Sequence, residues 1–306
     1  MKILGQYKNG NYQTSIFDDG TRIRETEEEE FIPSFAENID IKLCNRCDRG
    51  CVFCHEGSTP DGALGDILSE PFLDTLHPYQ EVALGGGNIL EHPDLLPFLE
   101  RLKERQVIAN ITLHQSHFEQ NEELVEELVK RQLVYGVGIS LEKPTENFIC
   151  KVKQYPNVVV HVINGVLEPS ELEALADNQL KLLILGFKRL RRGEAWYQAK
   201  SEEIAGKQEW LKAHLEEYLS RFRVVSFDNL AIGQLEVKRL LGKEEWEEFY
   251  AGDDGTHTFY IDMVERKFAE SSTAEQEKRY GLLDSVDEMF QRVRQRNLIC
   301  NYDGTE

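Results

Sequence analysis

The sequence predicts an α/β protein built on a largely parallel sheet with helices outside it, with a β-hairpin before the sheet and an α/β segment after it. Three observations carry that expectation. Short β-rich runs and amphipathic helical patterns alternate from about residue 36 to residue 222. Several of the β-rich runs are almost continuously apolar, as parallel strands covered on both faces must be. The chain has 306 residues, 41% of them hydrophobic, enough for a sizeable core.

Taken in order, Tyr12–Phe17 alternates in part, Asp18-Asp19-Gly20 is a turn signal and Thr21–Thr26 returns, which reads as a hairpin. The acidic run Glu27–Glu30 marks an exposed connection. The strands that follow are Ile39–Cys44, Glu81–Leu84, Ile108–Leu113, Val134–Ser140, Asn157–Ile163 and Lys181–Phe187. Leu95, Leu96, Phe98, Leu99 and Leu102 mark one apolar helix face, with Pro93 in its first turn. Leu124, Val125, Leu128 and Val129 mark another, opened by a cap at Asn121. Ile204, Leu211, Leu215, Tyr218 and Phe222 mark a third.

Six β-then-α units in a row imply a parallel sheet with helices outside, though periodicity does not decide whether the sheet curls. After residue 222 the rhythm breaks. Arg223–Phe227 reads as a seventh strand, Phe259–Val264 and Lys267–Ser271 as a second hairpin, and Asp284–Arg296 as a closing helix with Val286, Met289, Phe290 and Val293 inward. The expected division is 1–35 for the hairpin extension, 36–222 for the core and 223–306 for a segment packing on it. No repeat or low-complexity linker suggests an independent second domain.

Lys and Arg total 35 against 55 Asp and Glu, a formal charge of -20. Such a surface repels nucleic acid, so none is expected as a partner. Lys188-Arg189-Leu190-Arg191-Arg192 is a basic island against that background; a solvated loop explains it, and so does an anionic ligand. No apolar stretch approaches the roughly 20 residues of a bilayer span, and the start, Met1 to Gly5, turns polar at once. The expectation is a cytoplasmic chain whose six cysteines stay reduced and free to bind metal.

Four of those cysteines, Cys44, Cys47, Cys51 and Cys54, fall within eleven residues. Scattered core cysteines do not cluster this way. Structural zinc is the serious rival reading, since Cys44/Cys47 and Cys51/Cys54 are both knuckle pairs. Zinc ribbons, however, separate their pairs by about 12–20 residues so that two loops converge. A redox dithiol accounts for one pair and leaves the other over. Cys47-x3-Cys51-x2-Cys54 instead suits three thiolates around an iron–sulfur cluster, with one iron left open. Cys150 and Cys300 are too few for a separate auxiliary cluster.

These three cysteines, with Phe53 before the last, resemble the signature of the radical S-adenosylmethionine (radical SAM) superfamily. Leu84-Gly85-Gly86-Gly87-Asn88, after the second strand, resembles that family's Gly-Gly-Glu motif. The resemblance implies a partial (β/α)6 barrel. It implies that Cys47, Cys51 and Cys54 bind a [4Fe-4S] cluster whose fourth iron is chelated by SAM. It also implies reductive cleavage of SAM to a 5'-deoxyadenosyl radical, an electron from a partner such as flavodoxin or ferredoxin, and a small-molecule or peptide substrate. Oxygen sensitivity follows from such a cluster.

By the same resemblance, Phe53 packs near the adenine, and Gly85, Gly86 and Gly87 let backbone approach the methionyl group. Asn88 accepts from its amine, without the charge of the family's Glu. Ser140, Asn164, Gly186 and Phe187, at later strand ends, complete the cofactor contacts. His114, Gln115, Glu142, Lys188 and Arg192 are candidate substrate residues. Cys44 is expected to be a spare thiol, because a fourth thiolate would displace SAM.

Overall fold

The computed structural model describes residues 2–302, with side chains through residue 295. Met1 and the Cys300 side chain lie outside the described residues. Three antiparallel strands come first: β1 (Ile3–Asn9), β2 (Tyr12–Phe17) and β3 (Arg22–Glu25). The expected hairpin is β2–β3. The sequence reading missed β1, whose ladder slips between Ile3 and Gly5 and whose apolar alternation is weak.

The main sheet begins with β4 (Asn38–Cys44) and β5 (Glu81–Gly86), then α1 (Leu95–Glu104) and β6 (Ile108–His114). Two short helices follow, α2 (Gln115–Gln120) and α3 (Glu122–Lys130), before β7 (Gly136–Ser140) and α4 (Glu146–Val152). The rhythm continues through β8 (Val158–Ile163), α5 (Pro169–Leu175), β9 (Lys181–Leu185), α6 (Arg192–Leu219) and β10 (Val224–Phe227). The remainder holds α7 (Asn229–Leu235), α8 (Lys243–Phe249), β11 (Thr258–Asp262), β12 (Lys267–Ala269), β13 (Tyr280–Gly281) and α9 (Val286–Tyr302).

Strands β4 to β10 pair in chain order, each parallel to the last. The sheet order is β10-β9-β8-β7-β6-β5-β4-β11-β12-β13, and among the described residues its two edges do not join. Two expectations are corrected. The 259–264 run does make a hairpin with β12, but it also extends the parallel sheet beside β4, with Ile261 opposite Ile41. Phe259 through Asp262 are all buried, so β11 must have a partner on each side. Pro93 precedes α1, whose cap position is Asp94; Pro97 occupies the first turn, where no amide hydrogen is needed.

Helix faces follow the apolar spacing. Leu95, Phe98, Leu99 and Leu102 of α1 are buried, as are Ile204, Leu211, Leu215 and Tyr218 of α6; Leu96 is exposed. On β4, Ile39, Ile41 and Leu43 are buried between Asp40 and Lys42, which face the barrel interior. At the end of the barrel where β4 starts, Glu37 fastens β2 and β3 to the sheet. Its fully buried carboxylate accepts from Tyr12 Oη at 2.5 Å, Arg22 Nη1 at 2.5 Å and Arg24 Nε at 2.8 Å. Burial alone would raise its pKa; the hydrogen bond from Arg24 and the charges of Arg22 and Arg24 outweigh burial and hold it at about 2. His257, beside it, is lowered by burial to about 4.

Candidate functional site

Residues from seven strands, β4 to β9 and β11, line a cavity of about 450 Å³ on the concave face of the sheet. A second cavity of about 380 Å³ adjoins it and shares Arg49, Phe53, His114, Ser140 and His161. Both fall within the size range of small-molecule sites. The loop that leaves β4 crosses the mouth. It is tied across itself by Cys47 N to Thr59 O at 2.9 Å and Thr59 N to Asn45 O at 3.0 Å.

Cys47, Cys51 and Cys54 are half-buried, unpaired and line the larger cavity together. Burial raises the thiol pKa of Cys47 and Cys51, and the neighbouring thiols raise it further. Metal binding would draw those protons off. Cys44 is fully buried at the end of β4, its sulfur 3.9 Å from Arg46 O, and is not part of the cavity wall. The donor set suits an iron–sulfur cluster: three thiols from one loop, with open cavity beyond them.

The glycine run lines the larger cavity, as the sequence reading expected, and also receives the cysteine loop. Gly85 has open space in front of it, and a Cβ there would meet only Thr112, at 3.9 Å. Gly86 and Gly87 line the larger cavity as well, and both also pack closely against the cysteine loop. A Cβ on Gly86, at φ +118°, would lie 2.4 Å from Cys44 O, and one on Gly87 would lie 2.1 Å from Arg46 O. In their place Gly87 N donates to Cys44 O at 2.8 Å and Asn88 N to Arg46 O at 2.6 Å. Asn88 lies outside the cavity wall; its Nδ2 donates to Glu91 and its buried Oδ1 has no partner among the described residues.

Other candidates divide in the same way. Ser140, His114, Gly186, Phe187, Lys188 and Arg192 line the larger cavity, and Glu142 lines the adjoining one. Phe53 and Phe187 both pack on Trp196, at 5.8 and 5.7 Å between ring centres. His114 also caps α2, accepting from Ser116 N at 3.2 Å. Gln115 and Asn164 lie outside both cavity walls, and the buried Oδ1 of Asn164 has no partner among the described residues. Gln115 is buried and holds the backbone of Glu142 and Lys143. Asn164 donates to Gln234, which clasps both backbone groups of Phe187. Gly186 is a glycine because a Cβ would strike Leu230 at 2.4 Å; its N donates to Asp228, which also caps α7.

Sequence reasoning missed several cavity residues. His161 borders both cavities over Gly138, where a Cβ would lie 2.2 Å from the ring. Burial lowers its pKa to about 4, so the imidazole is neutral at ordinary pH. Lys42 Nζ, almost fully buried, bridges Glu56 at 2.7 Å and Asp262 at 3.0 Å. Asp40 opens onto the cavity deep in the barrel; burial raises its pKa and Lys188 opposes that. Buried His117 bonds Asp48 at 2.8 Å, and ligand atoms of Cys47, Asp48 and His117 lie within 4.8 Å of one another.

No family model matches the chain, and no curated protein matches it in sequence. Among solved structures it is similar to SuiB of Streptococcus suis bound to precursor peptide SuiA. Identity there is 14% and the TM-score 0.53, over 78% of this chain and 60% of that one. It is likewise similar to SuiB bound to S-adenosylmethionine, at 12% identity and TM-score 0.53, over 82% of this chain and 64% of that one. The chain therefore spans less than two thirds of the length of these structures. At such identity the likeness establishes the fold: an α/β sheet that does not close, the partial barrel implied by the resemblance to the radical SAM superfamily. No helix among the described residues is long and apolar enough to cross a membrane.

Proposed function

We propose that this chain is a radical SAM enzyme in which Cys47, Cys51 and Cys54 hold three irons of a [4Fe-4S] cluster and SAM occupies the cavity beyond them. The observation that supports this most is the grouping of those three thiols, without Cys44, on one cavity of a partial barrel. The likeness to SuiB bound to SAM supports it as well. Together the cluster and SAM supply one-electron chemistry that removes a hydrogen atom from an unactivated position of the substrate.

The chain's own residues bind and shield. Gly85 leaves room at the cavity wall, and Ser140, His114 and His161 offer hydrogen bonds into it. Phe53, Phe187 and Leu185 supply apolar surface that excludes water. The electron comes from a flavodoxin- or ferredoxin-like donor, in the cytoplasm, and the site is oxygen-sensitive. The substrate is a peptide or a small metabolite. A peptide is the first to test, because SuiB binds precursor peptide SuiA.

Anaerobic reconstitution tests the reading. The expected result is brown protein with about four irons and four sulfides per chain that turns SAM into 5'-deoxyadenosine when reduced. Deuterium-labelled peptides and metabolites would then reveal the substrate through label in that product. A second reading, a mononuclear metal-binding module, is favoured by the closeness of Cys47, Asp48 and His117. Colourless protein carrying a single zinc and no sulfide would establish it in place of the first.

A further inference from the structure

We propose that Arg191 and Arg192 are positioning residues for the cysteine loop: they lock it from the start of α6, and the charge of Arg192 raises the reduction potential of the cluster. This rests on the reading above for the cluster and on the geometry alone for the lock. The basic island of the sequence is thereby accounted for without an anionic ligand. Lys188 Nζ donates to Ser272 at 3.0 Å, and Arg189 pairs with Glu194 and lies over the Tyr197 ring. The two remaining cations reach back across the chain. Arg191 Nη1 donates to Glu56 O at 2.5 Å and to its carboxylate at 3.2 Å, and Nη2 to Glu265 at 3.1 Å. Arg192 donates through Nε to Cys51 O at 3.0 Å and through Nη1 to Ser58 O at 2.9 Å.

Three carbonyls between Cys51 and Ser58 are thus held by two guanidinium groups. On its other side Glu56 is held by Lys42. A planar guanidinium meets two carbonyls through separate N–H groups at fixed angles, whereas an ammonium is a single point on a flexible stem. The local backbone is bent to permit this. Arg191 sits at φ +50°, ψ -118°, a conformation unfavourable for a residue with a Cβ, and Gly193 follows because a Cβ there would lie 2.4 Å from Lys188 O. Two cations at a helix N-terminus also run against the helix dipole. Helix stability therefore explains neither the sequence nor the strain, whereas contact with the loop explains both. Positive charge beside a cluster favours its more negative, reduced state.

The test uses the full chain as wild type, Arg192→Met, Arg192→Lys and Arg191→Ala. In metal-free protein, alkylation of Cys51 and Cys54 is timed by mass spectrometry. After anaerobic reconstitution, iron and sulfide are counted and the midpoint potential is followed by electron paramagnetic resonance. The expected result is several-fold faster alkylation in Arg192→Met and Arg191→Ala, reduced iron content, and a more negative potential in Arg192→Met. In Arg192→Lys the potential returns toward wild type while alkylation stays fast, which a merely structural role would not produce.

Wild-type alkylation rates in the folded Arg192→Met and Arg191→Ala variants overturn the lock. A potential unchanged in Arg192→Met overturns the tuning. Should Arg192→Met fail to fold, Arg192→Lys carries the same decision: wild-type alkylation there overturns the lock, and a potential clearly more negative than wild type despite the retained charge overturns the tuning. If wild-type protein takes up no cluster, the functional reading fails and tuning with it, while the alkylation rates still decide the lock.

Discussion

A methyl group on residue 87 would sit 2.1 Å from the carbonyl oxygen of Arg46, nearer than any unstrained contact. Gly87→Ala should therefore push the cysteine loop off the end of β5. A loss of about 1–3 kcal/mol is expected, the usual range for overpacking, read as a lower urea midpoint. The cysteines separate by role. Cys44→Ser should leave iron content and SAM cleavage largely intact, because Cys44 is buried away from the cavity; Cys47→Ser should abolish both. The reverse outcome would reassign the ligands. The three cysteines on the cavity were legible as a group from the Cys47-x3-Cys51-x2-Cys54 spacing. Asp40 and Lys42 were partly legible: charges at every second position between Ile39, Ile41 and Leu43 place polar side chains on the inner face of a parallel strand. His161 was not, since its place over Gly138 depends on the pairing of β7 with β8.

At the scale of elements, the joint between the N-terminal sheet and the barrel makes stability depend on pH. Unfolded, Glu37 would titrate near 4.5 and His257 near 6.5; folded, they titrate at about 2 and about 4. Each binds its proton less readily in the folded chain, so acid favours unfolding through both. The His257 contribution is complete above pH 6.5 and is lost as pH falls toward 4; that of Glu37 is complete above 4.5 and is lost toward 2. Urea midpoints measured from pH 7.5 downward should show the decline in that order. At pH 7, Glu37→Gln leaves Arg24 without its carboxylate and Arg22 with Glu81 alone, and should cost about 3–5 kcal/mol. The strands of this joint were only half legible. β2 and β3 announce themselves by a turn signal, whereas β1 is defined by pairing, and the parallel docking of β11 beside β4 joins residues more than two hundred positions apart.

For the molecule as a whole, the sequence rhythm predicted the parallel sheet but not its curl, because curl is set by how many strands share one concave face. The resemblance implied six strands; among the described residues the sheet carries eight parallel ones, β10 and β11 flanking β4 to β9 on opposite sides. The cavity that results collects groups from seven strands, so a ligand inside it touches distant parts of the chain at once. SAM should accordingly raise the thermal midpoint of reconstituted protein. At about a hundred times its Kd the gain is about 2.7 kcal/mol, and a midpoint unmoved by SAM would argue against its binding here.

The backbone bonds from Gly87 and Asn88 fasten the carbonyls of Cys44 and Arg46 to the end of β5. They imply a sequence of events in time. On the proposed reading, iron and sulfide would enter a loop already fastened in place. Damage by air would then be repaired by refilling: bleached protein given fresh iron and sulfide should recover its colour without being denatured and renatured.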